Sequence, residues 1–388
     1  MDFDLDAALS EVRSRALSLA AETEPIAREI DEATHIDRRA REALRASGLA
    51  RLTVPSEFGG ELDVVDPVAV CVVREVLGGF SSHLDSLFAM QGIGSYAISI
   101  AGSQEQRRRW LPEVASMEAI AALALTEPEA GSDLKSITTR MIAGGSGLII
   151  DGAKSFISNG GDADFFTTLV AEDAGLSLVL VPGTSPGLSR PPTPDLIAAH
   201  AISDLEFDGV RLPESARLGV AGRGLEIALS TLAVFRASVG AAAVGMAQRA
   251  LDEAVRHTTS RVQFGQPLIR HGQVAGMLAD CWTEIEMARL LVYRAAWRAR
   301  KDALAALTDS SMAKLAATEM ATRVIDRCLQ VSGRFGLIHD SVIGRLYREA
   351  RALRIYEGAS EVLKLTLARA LPAAISARAD VKAAKVRR

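Results

Sequence analysis

Two changes of hydrophobic period divide this chain, and they restrict its fold more than any single residue does. From residue 5 to about 118, apolar residues recur every three or four positions, as over 40–49 and 68–77, which is the helical period. The segment Val54-Pro55-Ser56-Glu57-Phe58-Gly59-Gly60 interrupts this pattern and reads as a loop. From about 120 to 218 the texture becomes short apolar or alternating runs, at 147–151, 165–170, 176–181 and 205–210. Gly, Pro, Ser and Asp clusters separate these runs, as in strands joined by turns. From 225 the helical period returns over alanine-rich stretches at 225–260, 274–304, 308–332 and 345–370. The periods predict a mixed α and β chain in three regions, 1–118, 119–224 and 225–388.

Composition narrows the class of protein. The 388 residues are 48% hydrophobic and 24% charged, which allows a sizeable core and argues against wholesale disorder. A net charge of −4 offers no basic footprint for nucleic acid, and the basic tail Lys382, Lys385, Arg387, Arg388 reads as a solvated terminus. Cys71, Cys281 and Cys328 are widely spaced, without Cys-x-x-Cys or histidine clustering. They read as small buried hydrophobes in a reducing compartment, and neither a disulfide framework nor a metal site is expected. The acidic N-terminus lacks the basic and apolar regions of a signal peptide. No run of about eighteen uninterrupted apolar residues is present, so the expectation is a cytoplasmic protein without a membrane span.

Glu357 stands in Ile355-Tyr356-Glu357-Gly358-Ala359-Ser360-Glu361, where a helical pattern gives way to a tight turn. Apolar neighbours raise a carboxylate's pKa and make it a better base. Leu125-Thr126-Glu127-Pro128-Glu129-Ala130-Gly131-Ser132-Asp133 reads by itself as a turn after a strand. Lys154-Ser155-Phe156-Ile157-Ser158-Asn159-Gly160-Gly161 reads as a strand ending in an Asn-Gly turn. Arg261-Val262-Gln263-Phe264-Gly265 closes a long helix, where arginine complements the helix dipole. Taken together with Gln330-Val331-Ser332-Gly333-Arg334-Phe335-Gly336, these strings resemble, in the same order and across nearly the whole chain, the acyl-CoA dehydrogenase family.

That resemblance implies an α+β, mainly α fold: an N-terminal helical domain, a small middle β-barrel or sandwich, and a C-terminal helical bundle. It implies FAD as cofactor and no metal. Leu125 and Thr126 would face the flavin ring, and Ser132 would lie near the pyrophosphate or the acyl-CoA. Phe156, Ile157 and Ser158 would pack on the flavin; the family commonly has Trp, Ile and Thr there, so the aromatic face and the hydroxyl survive. Ala359 and Glu361 would also touch the cofactor. Arg261 and Phe264 would bind the FAD pyrophosphate across a subunit boundary, and Gln330 and Gly333 would approach the adenosine half of a neighbour's FAD. The chain should therefore be a homodimer or homotetramer. Arg236, Gly358 and Arg369 would contact substrate, with Arg236 preceding an Ala- and Gly-rich helix. Some relatives carry the catalytic carboxylate just before this Arg; Phe235 stands there, which favours Glu357 as the base. Three departures stand out: Arg334 for a second Gly, Gly272 with Gln273 offset by one, and the segment 196–204 without its usual Arg and Ser.

The implied reaction removes the α-proton of an acyl-CoA thioester by Glu357 while the β-hydrogen leaves as hydride to flavin N5, giving a trans-2-enoyl-CoA. Donors to the thioester carbonyl would act as an oxyanion hole. An electron-transfer flavoprotein would take the electrons. Monooxygenase-like relatives lack the carboxylate; a flavin oxidase, or a dehydrogenase acting on a carrier-protein-bound acyl group, remains an alternative. Acyl preference would depend on a cavity lined by residues such as Phe88, Met90, Tyr96 and Leu232.

Overall fold

The computed structural model describes residues 4–144 and 147–386; the side chains of the basic terminal run, Lys382 to Arg388, lie outside the described residues. Six helices open the chain: α1 Ala7–Thr23, α2 Ala27–Asp31, α3 Arg38–Ser47, α4 Pro67–Phe80, α5 Ser82–Ala101 and α6 Gln104–Ala115. Their starts are written in cap residues, because the first amides of a helix need acceptors. Asp6, Asp37, Asp66 and Ser81 each accept from a backbone N–H one turn in, and Ser103 with Gln106 closes a capping box. Gly48 in the left-handed conformation stops α3 at Ser47, two residues earlier than the 40–49 periodicity suggests.

The middle of the chain is one sheet in the order β6-β7-β3-β2-β4-β5-β8. Its strands are β1 Ala121–Ala124, β2 Arg140–Gly144, β3 Gly147–Ser158, β4 Phe165–Glu172, β5 Gly175–Pro182, β6 Leu188–Ser189, β7 Ile202–Leu212 and β8 Arg217–Leu218. Pairing is mostly antiparallel, but β1 adds parallel to β4. The β3–β7 ladder breaks register between Lys154 and Ile157, and that bulge re-aims the residues it contains.

The C-terminal part is a bundle of α7 Gly224–Ser260, α8 Gly272–Ala299, α9 Leu307–Ser332, α10 Val342–Ala352 and α11 Ser360–Val386, with a hairpin β9 Val262–Gln263 and β10 Gln266–Pro267. Helix α7 is its axis, packed on α4, α8 and α9. It is long and apolar enough to cross a membrane, yet 83% of its apolar window is buried within the molecule. The architecture is the mainly helical one expected, with the sheet held between two helical regions. Two expectations need correction. Arg236 lies inside α7 instead of preceding a helix, and the stretch 345–370 is two helices, because 353–359 leaves the helical conformation. Glu357 and Gly358 both have positive φ there, which a right-handed helix cannot contain.

Candidate active site

Glu357 is held in the turn between α10 and α11 at φ 52, a left-handed conformation that costs a non-glycine residue about 1–3 kcal/mol. Two cations fix the turn through consecutive carbonyls. Arg236 Nε donates to the Glu357 carbonyl at 2.9 Å, and Lys314 Nζ donates to that of Gly358 at 2.7 Å. Arg236 is itself anchored by Ser311 at 3.0 Å. On the far side of the turn, Ser360 Oγ and Arg354 Nε both donate to Glu319 Oε1, at 2.6 and 2.9 Å. The strain is thus over-determined by its surroundings. The Glu357 side chain is left out of this web: Oε2 is buried and has no hydrogen-bond partner among the described residues. Burial pushes its carboxyl above the ordinary 4.5, while the charges of Arg74, Arg236 and Lys314 pull it back. Burial also draws Lys314 down to about 8. The arrangement is a desolvated carboxylate beside three cations, suited to taking a proton.

The second group of residues belongs to the sheet. Beyond β1 the chain turns through Leu125 and Thr126, and the Thr126 carbonyl accepts from Ser155 N at 2.9 Å, so the two strings 125–133 and 154–161 are stitched together. Beneath them Lys154 and Glu127 form a fully buried ion pair at 2.8 Å. Lys154 Nζ also donates to the Leu125 carbonyl at 3.1 Å, and Glu127 accepts from Thr139 N at 3.0 Å and Thr138 Oγ1 at 2.9 Å. Burial opposes ionisation of Glu127, but the bonds from Lys154, Thr138 and Thr139 outweigh it and hold the carboxyl at about 2; burial brings Lys154 to about 8. Phe156 sits in the bulge at φ 56 and is 52% exposed, although Ser155 and Ile157 on either side are buried. Its amide is fixed by Asp204 Oδ1 at 2.8 Å, and Ser158 Oγ lies 3.0 Å from His200 Nε2. The segment that lacks the expected Arg and Ser therefore holds this strip through His200 and Asp204. Ser132 is exposed in the loop.

Helix α5 is the shared wall of both groups. Asp85 in its first turn acts on Glu357, and farther along Gln91 accepts from Ala121 N at 2.9 Å, at the start of β1.

A third group lies elsewhere. Arg261, Phe264, Gln330 and Gly333 are all exposed, Phe264 at 95%, and the rings of His257 and Phe335 meet at 5.3 Å, joining the ends of α7 and α9. Arg236 and Arg261 are 25 residues apart on or at the end of one helix, about 37 Å at 1.5 Å per residue. Gly333 has φ 58 and ψ −139, a backbone conformation open essentially to glycine alone. The neighbouring Arg334 keeps ordinary φ and stacks over Phe335 at 5.1 Å, so this departure is accommodated locally. Gly272 starts α8 with Gln273 exposed beside it. Glu361 and Arg369 are exposed on α11, and Ala359 is half-buried beside Glu357.

Sequence reasoning missed Lys314, Ser311, Arg74, Asp85, Lys154, His200 and Asp204. A signal existed for the first: Ser310, Lys314 and Thr318 form a buried polar stripe at helical spacing in an otherwise apolar α9 face. Arg74, with Glu75 beside it, likewise interrupts the apolar run of α4.

The chain matches the three acyl-CoA dehydrogenase domain models in order: N-terminal over 8–118, middle over 122–210 and C-terminal over 222–371. It is 34% identical over 377 residues to a probable acyl-CoA dehydrogenase of Mycobacterium tuberculosis, covering 95% of this chain and 96% of that one. Among solved structures, butyryl-CoA dehydrogenase from Megasphaera elsdenii superposes with a TM-score of 0.91 at 28% identity, covering 96% of this chain and all (100%) of that one. A glutaryl-CoA dehydrogenase from Mycobacterium smegmatis, in complex with FADH2, gives 0.89 at 27% identity and 95% coverage of each. A left-handed buried carboxylate between two helices and an aromatic in a sheet bulge thus sit in a fold shared from end to end, and the chain belongs to the acyl-CoA dehydrogenase family of FAD-dependent oxidoreductases.

Proposed function

We propose that this chain converts an acyl-CoA thioester to the trans-2-enoyl-CoA, with Glu357 removing the α-proton. The observation that carries the reading is the buried, unpartnered Oε2 of Glu357 in a turn whose backbone two cations hold. The residues also fit the cofactor. The half-exposed Phe156 ring offers a face for an aromatic ring system, and Ser155 Oγ beside it is buried without a partner among the described residues. Leu125, Thr126 and Ser158, each half-buried, complete that surface, and Ile157 backs it from the core. Bound FAD supplies the hydride acceptor for the β-hydrogen. Glu357 holds the α-proton, and Arg236 and Lys314 keep its turn in register.

Arg261, Phe264, Gln330 and Gly333 serve the cofactor of a neighbouring subunit. The span of about 37 Å from Arg236 supports this, since one turn of chemistry cannot use both ends of α7. Exposed Trp282, Met287, Leu290 and Trp297 along α8 support a homo-oligomer, dimer or tetramer. An electron-transfer flavoprotein is the proposed acceptor. The three free, buried cysteines suit a cytoplasmic setting.

The test is an anaerobic absorbance titration of the flavoprotein with acyl-CoA esters. Bleaching of the oxidised-flavin band by an ester is expected, and a flavin that no ester reduces would overturn the reading. Phe156→Ala should weaken FAD by about 1 kcal/mol, roughly fivefold in Kd, read by quenching of flavin fluorescence. An unchanged Kd would remove Phe156 from the cofactor surface.

A further inference from the structure

The strip proposed to face the flavin is backed by an imidazole that the reaction above does not use. His200 lies just ahead of β7, and the β3–β7 ladder fixes where it stands. Ile157 pairs with Ser203, Ser158 pairs with Ile202, and Asn159 N donates to the Ala201 carbonyl at 2.7 Å. That register brings His200 Nε2 to 3.0 Å from Ser158 Oγ and 3.4 Å from Ser86 Oγ on α5. Among the described residues, His200 is the one hydrogen-bond partner of each of these hydroxyls.

The other ring nitrogen opens elsewhere. His200 stands on the wall of a cavity of about 480 Å³, together with Asp31, Thr34, Leu196, Arg345 and Glu349. Nδ1 makes no hydrogen bond among the described residues and is not one of their buried, unpartnered atoms. It is therefore open on the cavity side, where solvent can accept its hydrogen. Burial and the neighbouring His83 push the imidazole down to about 4, so the ring is neutral at physiological pH.

A neutral imidazole has one donor and one acceptor nitrogen. With its hydrogen on Nδ1, the Nε2 lone pair accepts from the hydroxyls that converge on it, the nearer being Ser158. With its hydrogen on Nε2, the ring could serve only one of the two, and the other half-buried hydroxyl would lose its partner. A Ser158 hydroxyl committed to His200 turns lone pairs, and not a hydrogen, toward the cofactor surface. A flavin gains N–H on reduction and gives up an acceptor nitrogen, so a pure acceptor beside it favours the reduced form. We propose that His200 is a positioning residue that holds the Ser158 hydroxyl as an acceptor toward the flavin, raising its reduction potential and so favouring its reduction by an acyl thioester. This rests on the flavin surface of the reading above.

The test measures the flavin midpoint potential of the holoenzyme by anaerobic reduction beside a redox dye. His200→Ala should lower it by about 30 mV, the tenfold change in a two-electron equilibrium that about one hydrogen bond commands. His200→Gln restores an acceptor oxygen and should stay near the wild-type potential. Ser158→Ala should lower the potential as much as His200→Ala, and combining the two should add nothing further. A wild-type potential in His200→Ala, with Ser158→Ala still lowered, would make His200 a space-filler and leave the flavin surface standing. An unchanged potential in Ser158→Ala would overturn both. A raised potential in His200→Ala would reverse the sense of the hydrogen bond and overturn the inference. If His200→Ala fails to hold FAD, His200→Leu, which fills the space without an acceptor, decides in its place with the same expected fall.

Discussion

Glu357→Gln should keep FAD bound and lower the rate of flavin reduction by acyl-CoA by roughly 10²–10⁴-fold, the usual contribution of a positioned general base. The substitution preserves shape. Arg236 and Lys314 bond to backbone carbonyls, so the turn keeps its anchors when the side chain loses its charge. The wild-type rate should also depend on pH in a defined sense. A base must be ionised, and burial has raised this carboxyl above 4.5, so activity should fall as pH drops through a midpoint higher than that value. Rapid mixing under anaerobic conditions measures both effects. Reduction of the Gln variant at near wild-type rate would remove Glu357 from the chemistry.

Lys154→Met should be the most damaging single change for the folded state of the middle region. It leaves Glu127 ionised and nearly fully buried with its cation gone, a situation that costs about 3–5 kcal/mol. The loss should appear as a lower Tm together with weaker FAD retention, because Lys154 also ties the Leu125 carbonyl and Glu127 ties the strand carrying Thr138 and Thr139. Adding Glu127→Gln should recover part of the stability by removing the stranded charge. If the double variant were no more stable than the single one, the pair would not be the organising element of the loop.

The large features of this molecule are legible in one dimension because their causes are local. Helix starts follow from Asp6, Asp37, Asp66, Ser81 and Ser103, and strands β3, β4, β5 and β7 follow from runs of alternating or apolar residues. The Glu357 turn announces itself through Gly358. What escaped the sequence depends on contacts between distant segments. Arg74 and Asp85 are eleven residues apart but meet Glu357 only through the packing of α4, α5 and α7. His200 and Asp204 sit in a segment notable only for residues it lacks, and their use in holding Ser158 and Phe156 becomes visible when β7 pairs with β3. Lys314 reaches Gly358 across forty-four positions, a distance no period encodes.

The left-handed backbone at Glu357 also bears on how such an enzyme drifts over generations. Its φ of 52 is unfavourable for glutamate, and a carboxyl with a raised folded-state pKa destabilises the fold at every pH above the ordinary 4.5. Glu357→Gly relieves both, offset in part by about 0.5–1 kcal/mol of extra chain entropy in the unfolded state. The inactive Glu357→Gly variant should therefore melt above the active chain at pH 8, with the gain shrinking as pH falls toward 4.5. Random change thus carries the lineage downhill, toward sturdy descendants that keep the scaffold and abandon the reaction. Only continuing demand for turnover keeps the ancestral glutamate in place.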